Sequence, residues 1–153
     1  MRRVNVSVVL NHAGDRVLMC LRAKDPFAGM YNFVGGKAEP GEDGMAAACR
    51  ELFEETGLTR ADIALRHVMD LRYYENDILL EVYAGRLRRD MDVSGDENEL
   101  LWMPVDEDFF DVERFAGNGN VGHIMRVVVR QSPSIYNDIT SEGSAPRAVR
   151  HSG

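Results

Sequence analysis

The chain has 153 residues, 44% of them apolar and 28% charged, which fits a single domain and argues against wholesale disorder. Lys and Arg number 18 against 25 Asp and Glu, a net charge of −7. A surface this acidic argues against non-specific binding to nucleic acid polymers or anionic membranes, which needs a basic footprint. It leaves room for a small anionic ligand neutralised locally. Cys20 and Cys49 form no CxxC pair, so a reducing, cytoplasmic setting is expected. No stretch approaches the roughly 18 apolar residues of a membrane-spanning helix. The Met1-Arg2-Arg3 start is read as a strand, because Asn5 and Ser7 interrupt the apolar run that a signal peptide needs.

Val4, Val6, Val8 and Leu10 alternate with Asn5, Ser7 and Val9, a strand pattern. His12-Ala13-Gly14-Asp15 is a turn signal, and Val17 to Leu21 should pair back as a second strand. Tyr31 to Val34 reads as a short strand ahead of a loop containing Gly35, Gly36, Pro40 and Gly41. A helix is predicted over 44–56, with Asp43 as N-cap and Gly57 just past its end. Ile63 to Tyr74 and Ile78 to Leu87 read as strands joined by a hairpin at Glu75-Asn76-Asp77. Met91 to Glu99 reads as a loop and Leu100 to Val105 as a strand. The spacing of Val121, Ile124, Val127 and Val128 predicts a helix over 120–130, and a mobile tail is expected from about Asp138. The sum is an α/β fold, a mixed sheet covered by helices, with one domain over 1–137 and a tail over 138–153.

The predicted first helix carries the chemistry. At 100° per residue, Glu54 and Glu55 lie about −60° and +40° from Glu51, so three carboxylates share one face. Met45, Ala48, Cys49, Leu52 and Thr56 form an apolar stripe beside it. Like charges at this spacing oppose helix formation, and anions in the last turn oppose the macrodipole. A divalent cation resolves both conflicts, and hard oxygen ligands suit Mg²⁺, with Mn²⁺ as an alternative. The competing reading is a solvated acidic face. Glycines in the preceding loop favour the cation, because backbone there can approach a ligand and offer carbonyls. Arg50 is suited to hold a carboxylate in fixed geometry.

The segment from Gly36 to Leu58 resembles the Nudix box, G-x5-E-x7-R-E-U-x-E-E-x-G-U with U aliphatic. Gly36, Glu42, Arg50, Glu51, Leu52, Glu54, Glu55, Gly57 and Leu58 fill its nine fixed positions. The resemblance implies an α/β/α sandwich and Mg²⁺-dependent hydrolysis of a nucleoside diphosphate linked to another moiety. It implies metal binding by Glu51, Glu54 and Glu55, helped by a carbonyl of Gly35 or Gly36, while Glu42, Arg50 and Gly57 shape the motif. Glu51 is one candidate general base. A glutamate from a later loop is the other, and Glu97 and Glu99 both qualify.

The approach to the box, Tyr31 to Lys37, resembles MutT-like enzymes that hydrolyse 8-oxo-dGTP. Arg22 and Lys24 follow the second strand, where family relatives often bring a cation to a phosphate, Arg22 being the stronger candidate. Lys37 is expected in the substrate site and, on the MutT-like resemblance, Asn32 at a purine edge. Asn118 and Asn120 are either further base contacts or a turn residue and an N-cap. Tyr74 resembles a tyrosine associated with dinucleoside polyphosphate hydrolases. A nucleoside triphosphate, oxidised purines included, is the favoured substrate. A dinucleoside polyphosphate and a silent nucleotide sensor are the alternatives, and monomer and homodimer both remain open. His123 is expected at the surface or in packing, Trp102 in the core, and both cysteines inert.

Overall fold

The computed structural model describes residues 1–143. Its strands are β1 (Arg2–Leu10), β2 (Arg16–Leu21), β3 (Tyr31–Asn32), β4 (Val34–Lys37), β5 (Arg66–Tyr73), β6 (Ile78–Arg86) and β7 (Glu99–Pro104). Helix α1 (Gly44–Thr56) follows β4, and α2 (Asn120–Gly143) follows β7. The strands form one seven-stranded mixed sheet in the order β3-β2-β1-β6-β5, with β4 added on β1 and β7 on β2.

The alternation in β1 sorts residues between the two faces of this sheet. Val8 and Leu10 enter a core with Val82, Val121, Ile124, Met125 and Val128, beneath α2. Val9 points the other way, into a second core with Leu18, Leu52 and Leu58 beneath α1. The result is the expected sandwich. Each fully buried Leu or Val contributes roughly 1.5–3 kcal/mol relative to leaving it in water.

Pairing departs from the expected first hairpin. β1 and β2 share only the Leu10–Val17 pair near the turn. β1 instead runs parallel to β6 along its whole length, from Arg2–Ile78 to Leu10–Arg86, and antiparallel to β4. β2 pairs along its length with β7. Both faces of β1 are buried around Val8 and Val9, and a central strand with partners on each side satisfies that burial better than an edge hairpin. The strand expected from Ile63 starts at Arg66, and Ile63 makes only an isolated bridge to Leu87.

Helix α1 matches its expected ends. Asp43 accepts from the Ala46 N–H at 3.1 Å, and Gly57, at φ 79°, donates to the Phe53 carbonyl. Helix α2 runs past the predicted end at Arg130 and through Pro133 to Gly143. Proline removes the bond that the Val129 carbonyl would accept. The Ser132 hydroxyl donates to that carbonyl at 3.0 Å instead. The domain boundary expected at Asp138 therefore falls inside α2, and the rest of the expected tail lies outside the described residues. No helix among the described residues is long and apolar enough to cross a membrane.

Candidate active site

The loop entering α1 is clasped to the helix by Arg50. Its Nε and one Nη donate to the two oxygens of Glu42, both at 2.9 Å, and the same Nη reaches the Lys37 carbonyl at 3.0 Å. Glu42 also accepts from the Glu39 N–H at 2.9 Å. These bonds hold the Glu42 carboxyl down at about 2, with the Arg50 contact the largest cause. Arg3 adds a second brace, donating to the Glu42 carbonyl at 2.7 Å and pairing with Glu81 at 3.1 Å. The shaping role expected of Glu42 and Arg50 has a direct geometric basis in this clasp.

The other Nη of Arg50 faces the acidic helix edge, 3.2 Å from Glu51 and 3.3 Å from Glu54. Glu55 lies on the far side of this edge and accepts from the Gly35 N–H at 2.6 Å. Burial pushes the Glu55 carboxyl up to about 7. Glu51 and Glu97 push the same way, against the Gly35 hydrogen bond and Arg22. Glu51, Glu54 and Glu55 line one cavity of about 280 Å³ together with Asp96, Glu97, Asn98 and Leu100. The local crowding has a visible cause at Gly36, where an added Cβ would lie 2.2 Å from the Glu51 carboxyl carbon.

Among the described residues, no three acidic, His or Cys side chains converge as a ready-made metal cage. Arg50 stands against two of the glutamates, and Glu55 is tied to backbone. The donors are nonetheless all hard oxygens in one small cavity. That set fits Mg²⁺ or Mn²⁺, which keep several waters and take few protein ligands, better than a metal needing a closed cage or soft ligands.

A second cavity, about 620 Å³, lies across the Gly35–Gly36 backbone. Its polar lining includes Arg22, Asn32, Lys37, Tyr73, Asn118 and Asn120, and Phe27, Leu80 and Ile124 supply apolar wall. Several polar groups are already oriented. The Asn32 side-chain amide oxygen accepts from the Phe33 N–H at 2.8 Å. The Asn120 amide donates to the Tyr73 hydroxyl. Arg22 donates to the Pro26 carbonyl at 2.7 Å and lines the larger cavity, and its charge acts to lower the Glu55 carboxyl pKa. Asn118 sits at φ 54°, a left-handed conformation that asparagine tolerates.

The five residues expected to contact substrate (Arg22, Asn32, Lys37, Asn118, Asn120) thus share one cavity, and Glu51, Glu54, Glu55 and Glu97 share the other. Gly36 lines the larger cavity, beside the Glu51 carboxylate. Glu99 is separated from this group. It is the first residue of β7, paired with Leu21, and lines neither cavity. Sequence reasoning missed Asp96 and Asn98, whose only signal was their place in a polar loop, and Tyr73. Tyr74, one residue on, is 80% exposed with the Arg72 guanidinium over its ring. His123 is exposed, Trp102 packs against the α1-side core, and burial pushes the Cys20 thiol up to about 11, leaving it inert.

A strand-to-glycine-to-helix turn thus sets the α1 carboxylates beside a cavity of about 620 Å³. The chain belongs to the NUDIX family: the model of the NUDIX domain matches residues 1–118, and the protein is a Nudix hydrolase. Over 96 residues it is 34% identical to a Mycobacterium tuberculosis protein provisionally named 8-oxo-dGTP diphosphatase 2, covering 61% of this chain and 68% of that one. Two solved structures share the fold. One is a MutT from work on Aliivibrio salmonicida and Vibrio cholerae, with TM-score 0.65, 18% identity and coverage of 84% of this chain and 98% of that one. The other is a C. elegans Ap4A hydrolase, with TM-score 0.70, 18% identity and coverage of 88% and 99%.

Proposed function

We propose that this Nudix hydrolase is a Mg²⁺-dependent, MutT-type pyrophosphohydrolase that converts a purine nucleoside triphosphate, oxidised purines included, to the monophosphate and pyrophosphate. The observation that carries this reading is a larger cavity lined with amides and apolar wall, whose Gly35 donates to Glu55 and whose Gly36 abuts Glu51, both residues of the acidic cavity. The larger cavity would take the base and sugar, and Arg22 and Lys37, which line it, would meet the phosphate chain. The resemblance to the Mycobacterium tuberculosis relative supports the same substrate class.

Glu51, Glu54 and Glu55 would hold the metal, with the Gly36 carbonyl as a neutral ligand. A divalent ion bound there supplies charge neutralisation for the phosphates and acidifies a water. Water oxygen forms the new bond to phosphorus, and the bond to the bridging oxygen breaks, releasing pyrophosphate. Glu51 or Glu97 would take the proton from the attacking water; both line the acidic cavity. Asn32, Asn118 and Asn120 hold the base.

The test is a panel of nucleoside triphosphates, 8-oxo-dGTP and dinucleoside polyphosphates incubated with wild type and Mg²⁺, with products separated by chromatography. A purine triphosphate giving monophosphate plus pyrophosphate is the expected result. Faster cleavage of dinucleoside polyphosphates, or nucleotide binding with no turnover anywhere in the panel, would overturn it.

A further inference from the structure

Tyr73 ends β5 and Asn120 begins α2, so their hydrogen bond joins two elements across the mouth of the larger cavity. The direction of that bond matters. The Asn120 amide donates and the Tyr73 oxygen accepts, which leaves the hydroxyl proton of Tyr73 without a role in the couple. Burial raises the Tyr73 pKa, so the proton is retained at any working pH. Elsewhere in the same cavity, Asn32 has its side-chain amide oxygen engaged by the Phe33 N–H, and its NH₂ is left to donate. At Tyr73 and Asn32 the cavity therefore presents donors, while the Asn120 amide oxygen is left to accept.

We propose that Tyr73 is a specificity-determining residue: oriented by Asn120, its hydroxyl donates to an oxo group of the nucleobase and selects oxopurines over aminopurines. An exocyclic amine placed there would set donor against donor and leave a buried polar group unpaired, the kind of mismatch that enzymes use for discrimination. This rests on the larger cavity being the base site, as proposed above, and it names the part of the base that the cavity reads.

The experiment measures binding of 8-oxo-dGMP, dGMP and dAMP to the full chain by calorimetry, which needs no turnover. Tyr73→Phe keeps the ring and removes the proton. It should lower the preference for oxopurines over dAMP by about 5–10-fold, the equivalent of one hydrogen bond, by weakening the oxopurines while dAMP, freed of the opposed donor, binds as tightly or tighter. Asn120→Asp offers a carboxylate that accepts the Tyr73 proton, and it should reduce the same ratio although the tyrosine remains. Equal weakening of all three ligands by Tyr73→Phe would mean a packing role and would overturn the proposal, as would an unchanged ratio or a wild type that binds no purine monophosphate. Selective binding without triphosphate hydrolysis would instead refute the enzymatic reading and leave this inference standing. Hydrolysis with a Tyr73-independent preference would do the reverse.

Discussion

The acidic cavity and the larger cavity beside it are assembled on different scales. The first takes Glu51, Glu54 and Glu55 from two turns of one helix, and a single arginine eight residues from Glu42 sets the helix against its loop. The second draws on β1, β4, the loops after β2 and β5, and the start of α2. Charge chemistry at a phosphate needs several carboxylates within a few ångströms, and a helix supplies that spacing locally. Reading a base needs walls on several sides, which only long-range packing supplies. Hydrolysis and selectivity should therefore respond to different substitutions.

The strongest test of that separation is Glu54→Gln. If Glu54 holds the metal as proposed, kcat should fall by about 10²–10⁴-fold, the range that an essential catalytic carboxylate contributes. Calorimetric binding of a nucleoside monophosphate should stay within twofold. Comparable losses in both would break the comparison, because one residue would then serve both cavities. Gly36→Ala tests the divider. A Cβ there would meet the Glu51 carboxylate, the movable end of a side chain, so the fold should survive and Glu51 should shift. A displacement of about 1 Å is enough to lower turnover by roughly 10²-fold. The order of preference among bases should be unchanged.

The same difference of scale explains what was legible in the sequence. The caps of α1, its acidic edge and the Glu42–Arg50 contact all follow from residues within one short segment, and each was readable before any fold was known. The parallel pairing of β1 with β6 was not, because Arg2 and Ile78 are brought together only by the whole sheet. Glu97 and Glu99 are equivalent in sequence. The start of β7 separates them, since pairing with Leu21 draws Glu99 into the strand while Glu97 stays in the loop facing α1. Tyr73 and Tyr74 differ in the same way, because Tyr73 closes β5 and lines the cavity while Tyr74 opens the turn that follows and is exposed. A helix running through Pro133 was hidden by a proline that usually ends one, and a serine hydroxyl offsets the lost bond.

Asn118→Gly is a smaller and more discriminating change. Glycine keeps the left-handed backbone that Asn118 adopts at φ 54° and removes only the amide. If that amide touches the base, KM should rise about fivefold, near 1 kcal/mol for one hydrogen bond, with kcat unchanged. No change in KM would leave Asn118 a turn residue.

The smallest effect at neutral pH concerns the clasp. The Glu42 carboxyl is lowered from an ordinary 4.5 to about 2, first by Arg50 and also by the Glu39 N–H, with Arg3 nearby. A depressed pKa means that the folded state holds the charged form more favourably than the unfolded chain does. The contribution is therefore complete above about pH 4.5 and fades as pH falls towards 2. Wild type should melt above Glu42→Gln at pH 7, and the two curves should converge through that acid window in a series of thermal scans. Parallel curves down to pH 2 would mean that the clasp contributes nothing through charge. Binding of a monophosphate to the larger cavity should not follow this profile, since none of its lining residues bonds to Glu42 except through the Lys37 carbonyl that Arg50 holds. If affinity does fall in the same window, that one backbone contact couples the two cavities, and the separation between hydrolysis and selectivity holds only while Arg50 keeps Glu42 charged.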